Sequence, residues 1–144
     1  KMESQETEDL DEVHVYREIW DELGISSIGM GYVPENTYLK KYELDKEQRK
    51  AILLYDHNGQ VIRYMMYMND KDSSLGQKET DKLINEYQLK TVGEIVVSIK
   101  EYKVESLELN RYVADFEYMD AQYQIMGIME KEEFEKIIKN LAFL

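Results

Sequence analysis

Tyr112-Val113-Ala114-Asp115-Phe116-Glu117-Tyr118, then Ala121-Gln122-Tyr123-Gln124-Ile125-Met126-Gly127-Ile128, is the stretch whose reading decides the fold. Each segment reads as a strand, and the two residues between them make a hairpin. An amphipathic helix follows at once. Phe134, Ile137, Ile138 and Leu141 recur at steps of three, one and three, which puts them on one face of a 3.6-residue helix. A hairpin that passes directly into a helix builds a sheet and then covers it.

Upstream of this closing unit the same pattern repeats. Glu94 to Lys100 alternates, with Ile95, Val97 and Ile99 facing inward. Tyr102 to Leu109 reads as a further strand or strand pair with a turn near Glu105-Ser106, and Asn110 turns the chain into the closing strands. Gln77 to Tyr87 is read as a short helix through Leu83, Ile84 and Tyr87, with helix and strand both open for residues 77–92. Asn69 to Gly76 is a polar loop.

The surest hairpin spans residues 51–68. Ala51-Ile52-Leu53-Leu54-Tyr55 is one apolar strand and Val61 to Met68 the other. Asp56-His57-Asn58-Gly59 joins them, because Asn and Gly tolerate positive φ. The second strand is apolar on both faces: Val61, Met65 and Tyr67 on one, Ile62, Tyr64, Met66 and Met68 on the other. Such a strand is covered on both sides or borders a cavity. Methionine fits irregular spaces, so Tyr64, Met66 and Met68 are the candidate lining of an apolar ligand site. Ordinary core packing is the other reading.

Tyr38 to Leu44 reads as a strand, entered from a loop with Gly29, Gly31 and the single proline, Pro34. Asp45 to Lys50 is a charged turn. Before the loop, Leu10, Val13, Tyr16, Trp20 and Leu23 recur at helical steps, and Gly24 stands where a helix C-cap would. Trp20, the only tryptophan, is expected in the core. Residues 1–23 hold nine acids and two bases, net −7 of the chain's −12. That acidic stripe reads as a solvated helix face, the alternative being an acidic interaction surface. Residues 1–9 are expected to be a frayed tail, leaving 10–144 as a single domain.

The 144 residues fit one domain, with 43% hydrophobic and 33% charged side chains. A net charge of −12 disfavours nucleic acid and anionic membrane surfaces, which both need a basic patch. The absence of cysteine removes disulfides, a thiol nucleophile and cysteine zinc sites. No apolar run approaches the length of a spanning helix.

Catalytic motifs are not assembled in the sequence. The two histidines, His14 on the first helix and His57 in a turn, sit in no nucleophile motif, and no G-x-S-x-G elbow exists. The glycines at 29 and 31 do not continue into a phosphate loop. Asp70, Asp72, Ser74 and Asp81 partly imitate calcium-loop spacing, but Leu75 occupies the position that needs glycine, so the reading is a solvated acidic loop. Among 30 acidic residues, paired carboxylates cannot be picked from spacing.

Three segments together carry a resemblance. They are Gly31-Tyr32-Val33-Pro34-Glu35-Asn36-Thr37-Tyr38, the hairpin at Asp56-His57-Asn58-Gly59, and the ending Tyr123 to Leu141. In this order they are similar to a family of extracytoplasmic domains of unknown function from Gram-positive bacteria, over about residues 20–144. Members commonly follow an N-terminal membrane segment, some in proteins resembling anti-sigma factors. Asn36 stands where that family usually has glycine, and the tryptophan often seen in a late strand is replaced around Phe116-Glu117-Tyr118.

The expectation is an α+β domain: an antiparallel sheet of about six or seven strands packed by an N-terminal and a C-terminal helix. The resemblance implies a non-enzymatic extracytoplasmic sensing or protein-interaction domain, anchored to the cell membrane by a segment outside this chain or secreted. No catalytic residues, cofactor or metal are expected. The expected partner is a protein or an apolar small molecule, not nucleic acid. The alternatives are a carrier that holds an apolar ligand between sheet and helices, and a small hydrolase using paired carboxylates.

Overall fold

The computed structural model describes residues 2–6, 11–68 and 81–143. In chain order the elements are β1 (Met2–Glu6), α1 (Glu12–Leu23), β2 (Ile28–Met30), β3 (Thr37–Asp45), β4 (Lys50–His57), β5 (Gln60–Tyr67), β6 (Lys82–Lys90), β7 (Val96–Lys103), β8 (Asn110–Tyr118), β9 (Ala121–Met129), α2 (Lys131–Lys139) and β10 (Leu141–Phe143). The protein is mostly β and broadly α+β. Strands β3 to β9 form one antiparallel sheet, with β1 added at an edge, in the order β1-β3-β4-β5-β9-β8-β7-β6. A separate two-stranded sheet pairs β2 with β10.

Two meanders meet at the centre of the large sheet. β3, β4 and β5 run in sequence, as do β6 to β9, and β5 pairs with β9 from Arg63 opposite Met126 to Tyr67 opposite Gln122. The chain therefore passes from a central strand to the far edge between β5 and β6. Local turn chemistry sets the hairpins. Asn58 and Gly59 adopt φ of 52° and 83°, as a tight primed turn requires. The β8–β9 turn makes the same demand of Met119 and Asp120, at φ 50° and 69°. Between β6 and β7, the Thr91 hydroxyl accepts the amides of Gly93 and Ile95 and closes the loop.

The sheet is unequal on its two faces. Ile62, Tyr64 and Met66 of β5, Tyr123 and Ile125 of β9, and Ala114 and Phe116 of β8 are buried on one face. The alternate residues Val61, Arg63, Glu117 and Gln122 are exposed or half-buried, although Met65, Val113 and Gln124 on that side are buried. Period-two burial of one face is what an antiparallel sheet with a single core produces.

Helix α1 is capped at both ends. Asp11 accepts the Val13 amide, Gly24 at φ 72° donates to the Trp20 carbonyl, and the Arg49 guanidinium, reaching from the β3–β4 turn, donates to the Leu23 carbonyl. Helix α2 has Glu132 and Glu133 in its first turn and Lys136 and Lys139 in its last, matching the helix dipole. Its Phe134, Ile137 and Ile138 are fully buried, each contributing about 1.5–3 kcal/mol of apolar burial. Tyr32 and Tyr87 clasp its outer side. The Tyr32 hydroxyl donates to Glu133 and Lys136 lies over its ring; the Tyr87 hydroxyl donates to Glu135 and Lys131 lies over its ring.

Several expectations are corrected. Residues 82–90 are strand, not helix: Leu83 and Ile84 are exposed on an edge strand, and the partial burial of Tyr87 and Leu89 follows period two. The two helices are few beside so large a sheet and do not clearly flank it, although both bury side chains in its core. α1 lies against β3 and α2 against β6, β8 and β9, and they are the only helices among the described residues. The loop at 25–36 contains β2, and Leu141 is buried in β10 rather than on the helix. The buried side of α1 is Val15, Tyr16, Ile19 and Leu23, so Val13 and Trp20 lie outside the core. Leu10 lies outside the described residues. Met2–Glu6, within the stretch expected to fray, pairs with β3 from Met2 opposite Asp45 to Glu6 opposite Lys41.

Candidate functional site

Buried tyrosines position the wall of a surface groove. Tyr64 and Tyr123 are fully enclosed, and each needs a partner for its hydroxyl. The Tyr64 hydroxyl donates to the Ile28 carbonyl at 2.6 Å and that of Tyr123 to the Ser26 carbonyl at 2.9 Å. The Ser27 hydroxyl donates to the Tyr16 carbonyl, fastening the same short segment to α1. Tyr16 and Tyr55 meet hydroxyl to hydroxyl at 3.3 Å. Burial holds the phenols of Tyr16, Tyr55, Tyr64 and Tyr123 above their usual range, so all four stay neutral.

Beside this segment, between α1 and β10, lies an open groove of about 430 Å³. Its helix side is Val13, Arg17 and Trp20, with Tyr16 deeper. Ser26 and Ser27 form its polar side, and Tyr118 and Phe143 its opposite wall. Tyr118 and Phe143 pack against each other at 4.9 Å between ring centroids, tilted by 56°. Val13 and Trp20 are each 54% exposed and Phe143 is 50% exposed, an unusual concentration of large apolar surface. The groove depends on the β2–β10 pairing, which sets Phe143 opposite Ile28.

Charge on α1 is segregated around the helix. Glu18 accepts the Tyr42 hydroxyl and Glu22 pairs with Lys46, both on the β3 side. Among the described residues, Arg17 is the only charged one lining the groove, and it has no hydrogen-bond or ion-pair partner among them. Burial raises the Glu12 carboxyl above its ordinary value, opposed by the Tyr55 hydroxyl and reinforced by Asp11.

The residues singled out from sequence fall elsewhere. Tyr64 and Met66 are fully buried in the core, and Met68 is partly buried against it. None of the three lines this groove. His57 is half-buried, with its Nδ1 2.7 Å from the Thr37 hydroxyl, and His14 is exposed. Asp70, Asp72 and Ser74 lie outside the described residues; Asp81 forms an ion pair with Arg111. Sequence reading missed Trp20, Val13 and Phe143 as a group because it placed the first two on the buried stripe. The available signal was Val15 and Ile19, apolar residues on α1 that the chosen stripe left out.

Among the described residues, carboxylates do not converge in the groove, nor in a second hollow of about 360 Å³ on the other sheet face, lined by residues such as Val61, Arg63, Met126 and Arg111. Glu101 sits in its own buried cluster. Burial pushes its carboxyl up, but hydrogen bonds from Asn110, Tyr112 and Asn85, with Lys131 nearby, outweigh that and hold it below the usual glutamate range. Asp115 is raised by burial, against a hydrogen bond from Gln124. Among the described residues no three His, Cys, Asp or Glu are grouped to hold a metal ion, and no helix is long and apolar enough to cross a membrane.

The model of one protein family, described as a domain of unknown function (DUF4367), matches residues 27–141. Neither a curated protein nor a solved structure matches the chain.

Proposed function

The chain belongs to the DUF4367 family, a domain of unknown function, and we propose that it is a non-enzymatic recognition domain that binds a protein partner through the groove between α1 and β10. The observation that carries this reading is the exposure of Trp20, Val13 and Phe143 around one concavity. Aromatic residues are the usual anchors of protein interfaces, and exposed apolar surface of this kind is costly unless something covers it. The polar edge at Ser26 and Ser27 suits a partner that brings backbone amides with it.

We place the domain outside the cytoplasm of a Gram-positive bacterium, anchored through a segment beyond this chain, where it senses or binds. The motif order from Gly31 to Leu141 supports that placement by resemblance alone. A full-length reading frame without a leader or membrane segment would overturn it. The binding reading is tested through Trp20, the single indole in the chain. Peptides without tryptophan that fill the groove should shift its emission and shield it from acrylamide, and Phe143→Ser should abolish both effects. Partner binding that survives both Trp20→Ala and Phe143→Ser would place recognition elsewhere.

A further inference from the structure

We infer that the groove takes a peptide segment in which a large apolar side chain stands beside a carboxylate, and that Arg17 selects that carboxylate. The inference rests on the groove being the recognition surface and names what the surface prefers.

Local charge at the groove opposes the charge of the whole chain. The protein carries −12, yet the described residues of the groove lining contain one charge, and it is positive. Helical geometry explains the contrast. At about 100° per residue, Val13, Arg17 and Trp20 fall on one side of α1, while Asp11, Glu18 and Glu22 fall on the far side. Glu18 and Glu22 are engaged there by Tyr42 and Lys46. Two helix acids flank that arc at about 40°, Asp21 beyond Arg17 and Glu12 beyond Tyr16, and Glu12 is turned inward to the Tyr55 hydroxyl. Glu117 alternates with Tyr118 along β8 and so belongs to the opposite face of the sheet. An occupant of the groove therefore meets Arg17 first, and more distant acids are attenuated beyond about 8 Å at physiological salt.

The rest of the lining fits a peptide. Trp20, Tyr118 and Phe143 offer aromatic surface for one large side chain. The Ser26 hydroxyl has no partner among the described residues and can meet a backbone amide. An open groove of about 430 Å³ has room beyond one side chain. A guanidinium presents several donors in a plane, a geometry matched to a carboxylate.

The test titrates the whole chain with capped pentapeptides and follows Trp20 fluorescence. The probes are acetyl-Gly-Phe-Leu-X-Gly-amide with X as Glu, Gln or Lys, with N-acetylphenylalanine as the free small acid. The wild-type protein should bind the Glu peptide about three- to fivefold more tightly than the Gln peptide, the range of an exposed ion pair, with the Lys peptide weakest. The margin should shrink as salt is raised. Arg17→Gln should remove the preference and Arg17→Glu should reverse it, so that the Lys peptide binds best. Arg17 is exposed, and circular dichroism of both variants checks that the fold is kept. Equal affinities for the three peptides, or an unchanged order in Arg17→Glu, would overturn charge selection while leaving the groove as a binding surface. No change in Trp20 with any peptide would overturn both. N-acetylphenylalanine binding as tightly as the Glu peptide would overturn the peptide occupant.

Discussion

Replacing Gly31 by alanine should be among the most damaging single-methyl changes in this chain. A Cβ at Gly31 would sit 2.5 Å from the Asn140 carbonyl oxygen, a backbone atom. That oxygen accepts the Gly31 amide at 3.0 Å, so the two segments cannot separate without losing the bond. Asn140 has little room to retreat, because its own amide and its side-chain amide both donate to the Lys136 carbonyl at the end of α2. Relieving the overlap should cost about 1–3 kcal/mol of strain. Weakening the Gly31–Asn140 bond adds about 0.5–1.5 kcal/mol. Alanine recovers about 0.4–1 kcal/mol by restricting the unfolded chain. The net loss is about 1–3 kcal/mol, a large share of the ~5–15 kcal/mol typical of a domain. Urea unfolding is the assay. With a slope of about 2 kcal/mol/M, the midpoint should fall by about 0.5–1.5 M. Gly127→Ala is the control, since its Cβ would meet the Ile62 Cγ1 side-chain atom at 3.2 Å. A side chain can yield where a backbone carbonyl cannot, so the control should lose about 1 kcal/mol or less. Because β10 carries Phe143, Gly31→Ala should also shift Trp20 emission. A midpoint for Gly31→Ala no lower than that of Gly127→Ala would refute the reasoning.

The β8–β9 turn holds Met119 and Asp120 at positive φ, so Met119→Asn with Asp120→Gly should raise thermal stability, by about 1 kcal/mol, in a calorimetric scan. Glu101 accepts hydrogen bonds from Asn110 and Tyr112, which hold its carboxyl below the usual glutamate range. A depressed carboxylate adds stability above its unfolded pKa and loses it as pH falls through the folded value. Glu101→Gln should therefore lower the urea midpoint at pH 7, by about 1–2 kcal/mol in free energy, with the gap from wild type closing as pH falls through the folded value of Glu101. Trp20 should be quenched readily by acrylamide in the folded protein, and Trp20→Phe should change stability by less than about 0.5 kcal/mol. A shielded indole would mean that α1 is rotated from the orientation described.

The sequence by itself determined the strands and their turns wherever the signal was local. Asn58-Gly59 can be read as a hairpin because positive φ is a property of those two residues. Tyr112 to Tyr118 could be read as a strand, and Phe134, Ile137 and Ile138 announced the buried side of α2. Asn36 adopts φ 59°, a conformation that asparagine tolerates better than most residues.

Tertiary structure decided what depends on pairing at a distance. Lys82–Lys90 carries no strong period of its own and becomes a strand because β7 offers an edge. Three residues at 28–30 and three at 141–143 are too short to be strands alone, and each is a strand only because the other faces it. Two stripes competed on α1, one through Val13 and Trp20 and one through Val15 and Ile19. Spacing alone could not choose between them, since both satisfy a helical period. The choice fell to the sheet, where Tyr16 meets Tyr55 and Tyr64, and the tryptophan was turned outward into the groove. The candidate site arises from that rotation: its walls come from α1, the Ser26-Ser27 segment, β8 and β10, and only packing brings them together.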